Sequence, residues 1–149
     1  MITEVYEIKA IKNERIALTP IQKLTDFKDK MKGGNILLSA GAEGDGTTDG
    51  IPEMSVHYVE MEPGGEVTPH VHNRTEVYVF LTGKAIVMTG DEIIEITTGD
   101  VALAPIGTPH AIKVIGSDPL RFYAFNSPPA STCPMEPASE EVLWKWKQH

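Results

Sequence analysis

A single cysteine, no apolar run near the roughly 20 residues of a membrane helix, and no surplus of basic charge set the first limits on this chain. Cys133 alone cannot build an internal disulfide framework, and it fits a reducing, cytoplasmic setting. The opening residues, MITEVYEIKAIKNER, mix acids and bases and contain no secretory apolar core, which points the same way. A net charge of -8 argues against nucleic acid or an anionic membrane as partner, since both demand a basic face. What remains is ordinary. With 149 residues, 41% of them hydrophobic, the chain suffices for one soluble domain with a real core.

One stretch breaks the plainness: GGEVTPHVHNRTEVYVFLTG, from Gly64 to Gly83. His70 and His72 sit two apart, and in a β-strand that spacing puts both imidazoles on one side. Asn73, Arg74 and Thr75 give the chain room to turn. Glu76 then opens the next apolar run, from which a neighbouring strand could carry its carboxylate back over the histidines. His110 follows Pro-Ile-Gly-Thr-Pro and heads a further strand-like run, His-Ala-Ile-Lys-Val-Ile. Three imidazoles and one carboxylate suit one divalent transition metal: Fe, Mn, Ni, Cu or Zn. An isolated His-x-His is usually a pair of surface residues. Its coincidence here with Glu76, His110 and a frame of glycines speaks against that.

The surrounding rhythm is β. Short apolar runs over 54–61, 76–81, 85–88, 92–96, 101–104, 110–115 and 120–125 are separated by Gly- and Asp-containing turns, and the ligand strand starts near Val67. Strands at this interval predict an antiparallel sandwich or barrel. Before them, the spacing predicts an outer strand over 2–11, a helix starting at Thr19-Pro20 and ending at Gly33-Gly34, and a short strand over 35–40. The stretch 41–53, with Glu43, Asp45 and Asp49, lacks EF-hand spacing and reads as a solvated acidic loop. After the barrel, four prolines in the eleven residues 127–137 predict no regular structure. Ser139 caps a short C-terminal helix with Glu140 and Glu141 in its first turn. Its Val142, Leu143 and Trp146 share a face, with Trp144 near its edge, that reads first as packing on the outside of the barrel and alternatively as a subunit contact or a lid over its mouth.

The residues carry a family resemblance. The pattern Gly-x5-His-x-His-x3–4-Glu-x6-Gly is met by Gly64, His70, His72, Glu76 and Gly83, and Gly-x5-Pro-x-Gly-x2-His-x3-Asn by Gly99, Pro105, Gly107 and His110, with Val114 in the last place. Nine of ten specified positions, with fifteen residues between the two motifs, resemble the cupin superfamily. That resemblance implies an all-β fold, a double-stranded β-helix or jelly-roll barrel, here with short N- and C-terminal helices. The resemblance covers roughly 55–128; joined to the reading of the two ends given above, it divides the chain into an N-terminal strand, helix and loop over 1–53, a barrel over 54–126 and a tail with helix over 127–149. It also implies His70, His72, Glu76 and His110 as metal ligands.

Other inner-face candidates stay open. Tyr78 shares strand parity with Glu76 and reads either as a substrate-positioning group or as a core aromatic. His57, in parity with Val59 and Met61, reads as a pocket residue or a buried, hydrogen-bonded histidine. Arg121 and Tyr123 share a face that parity alone leaves unassigned, and Cys133 has no partner for catalysis. Four protein ligands on an octahedral metal leave room for water, substrate or dioxygen. The expected function is a metal-dependent enzyme acting on a small oxygen-bearing substrate, of dioxygenase type. The alternatives are a non-redox isomerase or decarboxylase of a sugar or carboxylic acid, and a non-catalytic ligand-binding barrel. A homodimer sharing an outer strand is expected.

Overall fold

Alternation of apolar and polar residues, cut by turn residues, drives almost everything that follows. The computed structural model describes residues 36–39 and 53–149. The expected strand over 2–11, the helix from Thr19 and most of the acidic loop lie outside the described residues. In chain order come β1 (Ile36–Ser39), β2 (Ser55–Met61), β3 (Glu66–Val71), β4 (Thr75–Thr82), β5 (Lys84–Thr89), β6 (Glu92–Ile96), β7 (Val101–Ala104), β8 (His110–Ile115) and β9 (Leu120–Ser127). A 3₁₀ turn (Ala130–Thr132), β10 (Glu136–Pro137) and the helix α1 (Glu140–Trp146) complete the chain.

Two antiparallel sheets face each other, ordered β1-β2-β9-β4-β7 and β10-β3-β8-β5-β6. Sequence neighbours fall repeatedly in opposite sheets, as expected for a jelly-roll barrel. In the first sheet, register sets three inward rows: Ser55–Asn126–Glu76–Ala104, His57–Ala124–Tyr78–Ala102 and Val59–Phe122–Phe80. Tyr58, Tyr123 and Arg121 fall on the opposite face, which settles the face of the last two. From the second sheet Val87, Ile112 and Val114 meet these rows in the main core cluster.

One turn depends on its glycine. Gly83 has φ of +93°, and a Cβ there would stand 2.6 Å from the Pro119 carbonyl oxygen, so β4 and β5 connect this tightly only with no side chain.

The Pro-rich tail is more ordered than its composition predicts. β9 continues to Ser127, the chain makes its 3₁₀ turn, and Glu136 and Pro137 pair with Val71 and His70 of β3. A single turn needs only an i→i+3 bond, here Thr132 N–H to Pro129 O at 3.0 Å, and an edge position tolerates proline. Ser139 accepts from the Val142 amide as expected, and Trp146 and Val142 pack on Met88, Ala111 and Ile86, on the outer side of the second sheet. Trp144 is 66% exposed, so only one of the two tryptophans is buried by this contact.

Candidate metal centre

The two sheets bring together residues far apart in sequence. β3 and β8 pair so that His70 lies directly opposite His110, after a bulge between Val67 and His70 that inserts one residue on β3. His72 follows at the strand's end. Glu76 comes from β4 in the facing sheet, so the group spans the interior. All four side chains are buried, and one donor atom from each lies within 4.8 Å of the others. The imidazole centroids of His70 and His110 are 4.1 Å apart, and those of His72 and His110 4.5 Å.

Each ring is oriented by a backbone carbonyl two residues away. Nδ1 of His70 donates to Thr68 O at 2.9 Å, that of His72 to Arg74 O at 3.0 Å, and that of His110 to Thr108 O at 2.8 Å. A carbonyl only accepts, so Nδ1 carries the proton and a neutral ring is left with its lone pair on Nε2. Glu76 Oε2 lies 2.7 Å from His72 Nε2 and 3.1 Å from His110 Nε2. Lone pairs facing each other at such distances must share a cation or a proton. This donor set therefore fits a divalent metal, with the outer nitrogens already held as metal-bound histidines usually are.

Electrostatics agree. With a proton shared there in place of a cation, burial alone would raise the Glu76 carboxyl, but the hydrogen bonds it accepts from His110 and His72 outweigh that and hold it well below the carboxylate range. Burial, then the neighbouring His110, lowers His70 from 6.5 to about 4, which keeps it available as a neutral donor. Burial and the adjacent Glu76 carboxylate, to which its hydroxyl hydrogen-bonds, push Tyr78 well above 10. Tyr78 packs edge-on against Phe122 with centroids 5.5 Å apart and lies 6.0 Å from the His110 ring. It is thus a core aromatic that also forms the floor of the donor group. His57 is half-buried on the same inner row, with Ala124 between, and is not one of the four gathered donors. Val114 is a core residue opposite Ala85, inside the apolar layer.

Arg74 and its partner Asn126, both buried, were missed in the sequence. Arg74 donates through Nε to Asn126 Oδ1 at 2.7 Å, beside Glu76 in the same inward row. Its parity with His72 and Glu76 was the available signal. A cleft of about 400 Å³ lies between the turn at Val71, His72 and Asn73, Gly107, and the tail at Thr132, Cys133, Pro134 and Glu136. A second cleft of about 420 Å³, between the edge strands β6 and β7, is lined by none of the four donors.

An antiparallel barrel of two sheets with a buried three-histidine, one-carboxylate group that could bind a metal ion defines the class of protein. Residues 57–126 match the Cupin domain family, and the chain belongs to the cupins. It is 32% identical over 78 residues to an uncharacterized protein of Streptomyces coelicolor, covering 52% of this chain and 73% of that protein. It is 33% identical over 69 residues to an uncharacterized protein of Methanocaldococcus jannaschii, covering 46% of this chain and 55% of that protein, so it spans about half the length of this archaeal relative. A solved cupin 2 domain-containing protein from Halorhodospira halophila superposes with a TM-score of 0.61 at 22% identity, over 74% of this chain and 75% of that one. That likeness is one of fold. No described helix is long and apolar enough to cross a membrane.

Proposed function

We propose that His70, His72, Glu76 and His110 ligate one divalent metal and that the protein is an enzyme acting on a small oxygen-bearing organic molecule, as a dioxygenase-type oxidoreductase. The observation that carries the metal assignment is the set of three Nδ1–carbonyl bonds, which leave three Nε2 lone pairs beside one carboxylate. A bound Fe, Mn, Ni, Cu or Zn ion would supply an electrophilic centre with positions left for a chelating substrate or dioxygen.

The surroundings favour redox chemistry over isomerisation. An isomerase must move protons between carbon and oxygen, which asks for a positioned acid and base. Among the described residues, the inward rows hold no carboxylate besides Glu76 and no lysine. Tyr78 keeps its proton and can orient a substrate oxygen, but it is a poor base. His57 stands two strand spacings from Tyr78, roughly 10 Å. Phe80, Phe122 and Ile112 beyond the donors exclude water.

Elemental analysis of the purified protein beside a His70→Ala, His110→Ala double variant tests the site. Near one equivalent of transition metal in the wild type, lost in the variant, is expected; no uptake even after anaerobic reconstitution with Fe(II) or Mn(II) would sink it. Dioxygen uptake with candidate diols, diketones or thiols, abolished when zinc replaces iron, tests the redox assignment. Turnover that persists without air and with zinc would favour the isomerase or decarboxylase. The same reading takes the protein to be a cytoplasmic homodimer, with Cys133 a free thiol; a monomeric mass by light scattering would refute the dimer.

A further inference from the structure

The four donors are buried and their inner side is closed by the core, with Tyr78, Phe80, Phe122 and Ile112 filling the barrel beyond them. A substrate must therefore arrive from the opposite end. There the segment 128–135 leaves β9 in the first sheet and crosses to β10, which pairs with β3 at Val71 and His70 in the second. The crossing is pinned in its middle. The Ala130 amide donates to Ser55 Oγ at 2.9 Å, and Arg74 Nη1 donates to Ala130 O at 3.3 Å and to Cys133 O. Arg74 is bound to the ligand turn as well, because its own carbonyl fixes the His72 tautomer.

We propose that segment 128–135 is a strap closing the entrance to the metal centre, with the cleft beneath it as the substrate port and Arg74 as the positioning residue that latches strap to ligand turn. This rests on the metal-centre reading above. The latch is of a kind that can open. Arg74 is 5% exposed and has no carboxylate partner among the described residues; its acceptors are an amide and two carbonyl oxygens. A buried guanidinium demands such partners, but water can replace neutral oxygens when the strap lifts, so opening exchanges hydrogen bonds instead of stranding a charge. The cleft of about 400 Å³ has room for a small molecule and, with Asn73, Thr132 and Glu136 on its wall, a polar approach.

Cys133, the single cysteine, sits on the strap and reports its opening. The test measures the rate of Cys133 modification by a disulfide reagent, and the rate at which a chelator removes metal, in the wild type, Arg74→Ala, Arg74→Lys and Ser55→Ala. Losing the strap bonds of Arg74 should accelerate both rates about tenfold, with metal stoichiometry kept. Removing a nearby positive charge would by itself slow thiolate attack, so acceleration reports opening. Lys, which keeps the charge but not the fork, should fall between. Ser55→Ala touches the strap away from the ligands and should shift both rates the same way, less strongly, even if the Arg74 variants fold poorly. Rates within about twofold of wild type in both Ala variants would overturn the proposal. So would faster Cys133 modification with unchanged metal release, because the strap would then not gate the centre. A wild type that takes up no metal would instead refute the metal-centre reading on which the port depends.

Discussion

Replacing Glu76 by Gln keeps the shape of the centre and removes its one negative charge. No cavity forms, so the change isolates what the carboxylate does for a cation. Glu76 is the sole donor from the facing sheet, and its Oε2 lies within 3.1 Å of two of the three histidine nitrogens. Substitutions one shell further out in metal sites typically cost about 10–100-fold in affinity, so a lost charged ligand should cost about 100-fold or more. With metal at 100 times the wild-type Kd, binding stabilises the wild type by about 2.7 kcal/mol; a 100-fold weaker variant gains about 0.4 kcal/mol. For a chain of this size those figures correspond to rises in Tm of about 5–10 °C and about 1–2 °C. Differential scanning fluorimetry with and without metal, each protein against its own metal-free Tm, reads the contrast directly. Equal rises in both proteins would show that Glu76 is not a ligand, and the argument from convergent lone pairs would fail with it.

In the metal-free protein, stability should fall as the pH drops from 6.5 toward 4. The folded His70 binds its proton more weakly than the unfolded chain does, so its contribution is intact above 6.5 and is lost on the way down to about 4. The loss is about 3 kcal/mol, readable as a lower urea midpoint, and a flat profile across that window would contradict it. The depressed Glu76 carboxyl acts in the same direction below 4.5. Gly83→Ala should destabilise by about 2 kcal/mol or more, since it adds a clash with Pro119 to a positive φ. Gly64→Ala, with φ of +80° and no atom within 4 Å of its new Cβ, should cost only the backbone penalty of about 1 kcal/mol. Urea melts of the two should therefore differ clearly. Val114→Asn buries an amide opposite Ala85 and should cost about 1–3 kcal/mol while metal uptake stays near wild type; lost uptake would make position 114 a support of the ligands.

The centre was legible because its signal is local. A spacing of two aligns His70 with His72, the turn after them is short, and Glu76 opens the next strand, so the pattern survives without knowledge of the sheets. Which face points inward was not legible. Arg121 and Tyr123 alternate as well as any inward pair, and only the pairing of β9 with β2 and β4 puts them outside. The tail failed differently: two residues of edge strand and one 3₁₀ turn are too short to have a period, so proline content dominated the reading. Arg74 was hidden because its role depends on partners 52 to 59 residues away. A buried guanidinium in a sequence looks the same as a solvated one.

The departure at Val114 gains its meaning from where it sits. His110, Ile112 and Val114 alternate inward along β8, and the first of them is a donor while the other two belong to the core. An amide at position 114 would place a polar group in a layer with Ala85, Val87 and Phe80; valine keeps that layer apolar. The donors therefore stand on a hydrophobic floor, where charges interact more strongly than in water and few groups can relay protons. On the opposite side the cleft wall is polar, and segment 128–135 is held by hydrogen bonds from the Arg74 guanidinium to two neutral carbonyl oxygens and from the Ala130 amide to Ser55. A centre with a dry, proton-poor floor and a polar covered mouth is better suited to placing a chelating substrate beside a second small reactant than to shuttling protons along a sugar. That asymmetry, built from residues the motif does not specify, is the strongest structural argument for the redox reading over its alternatives.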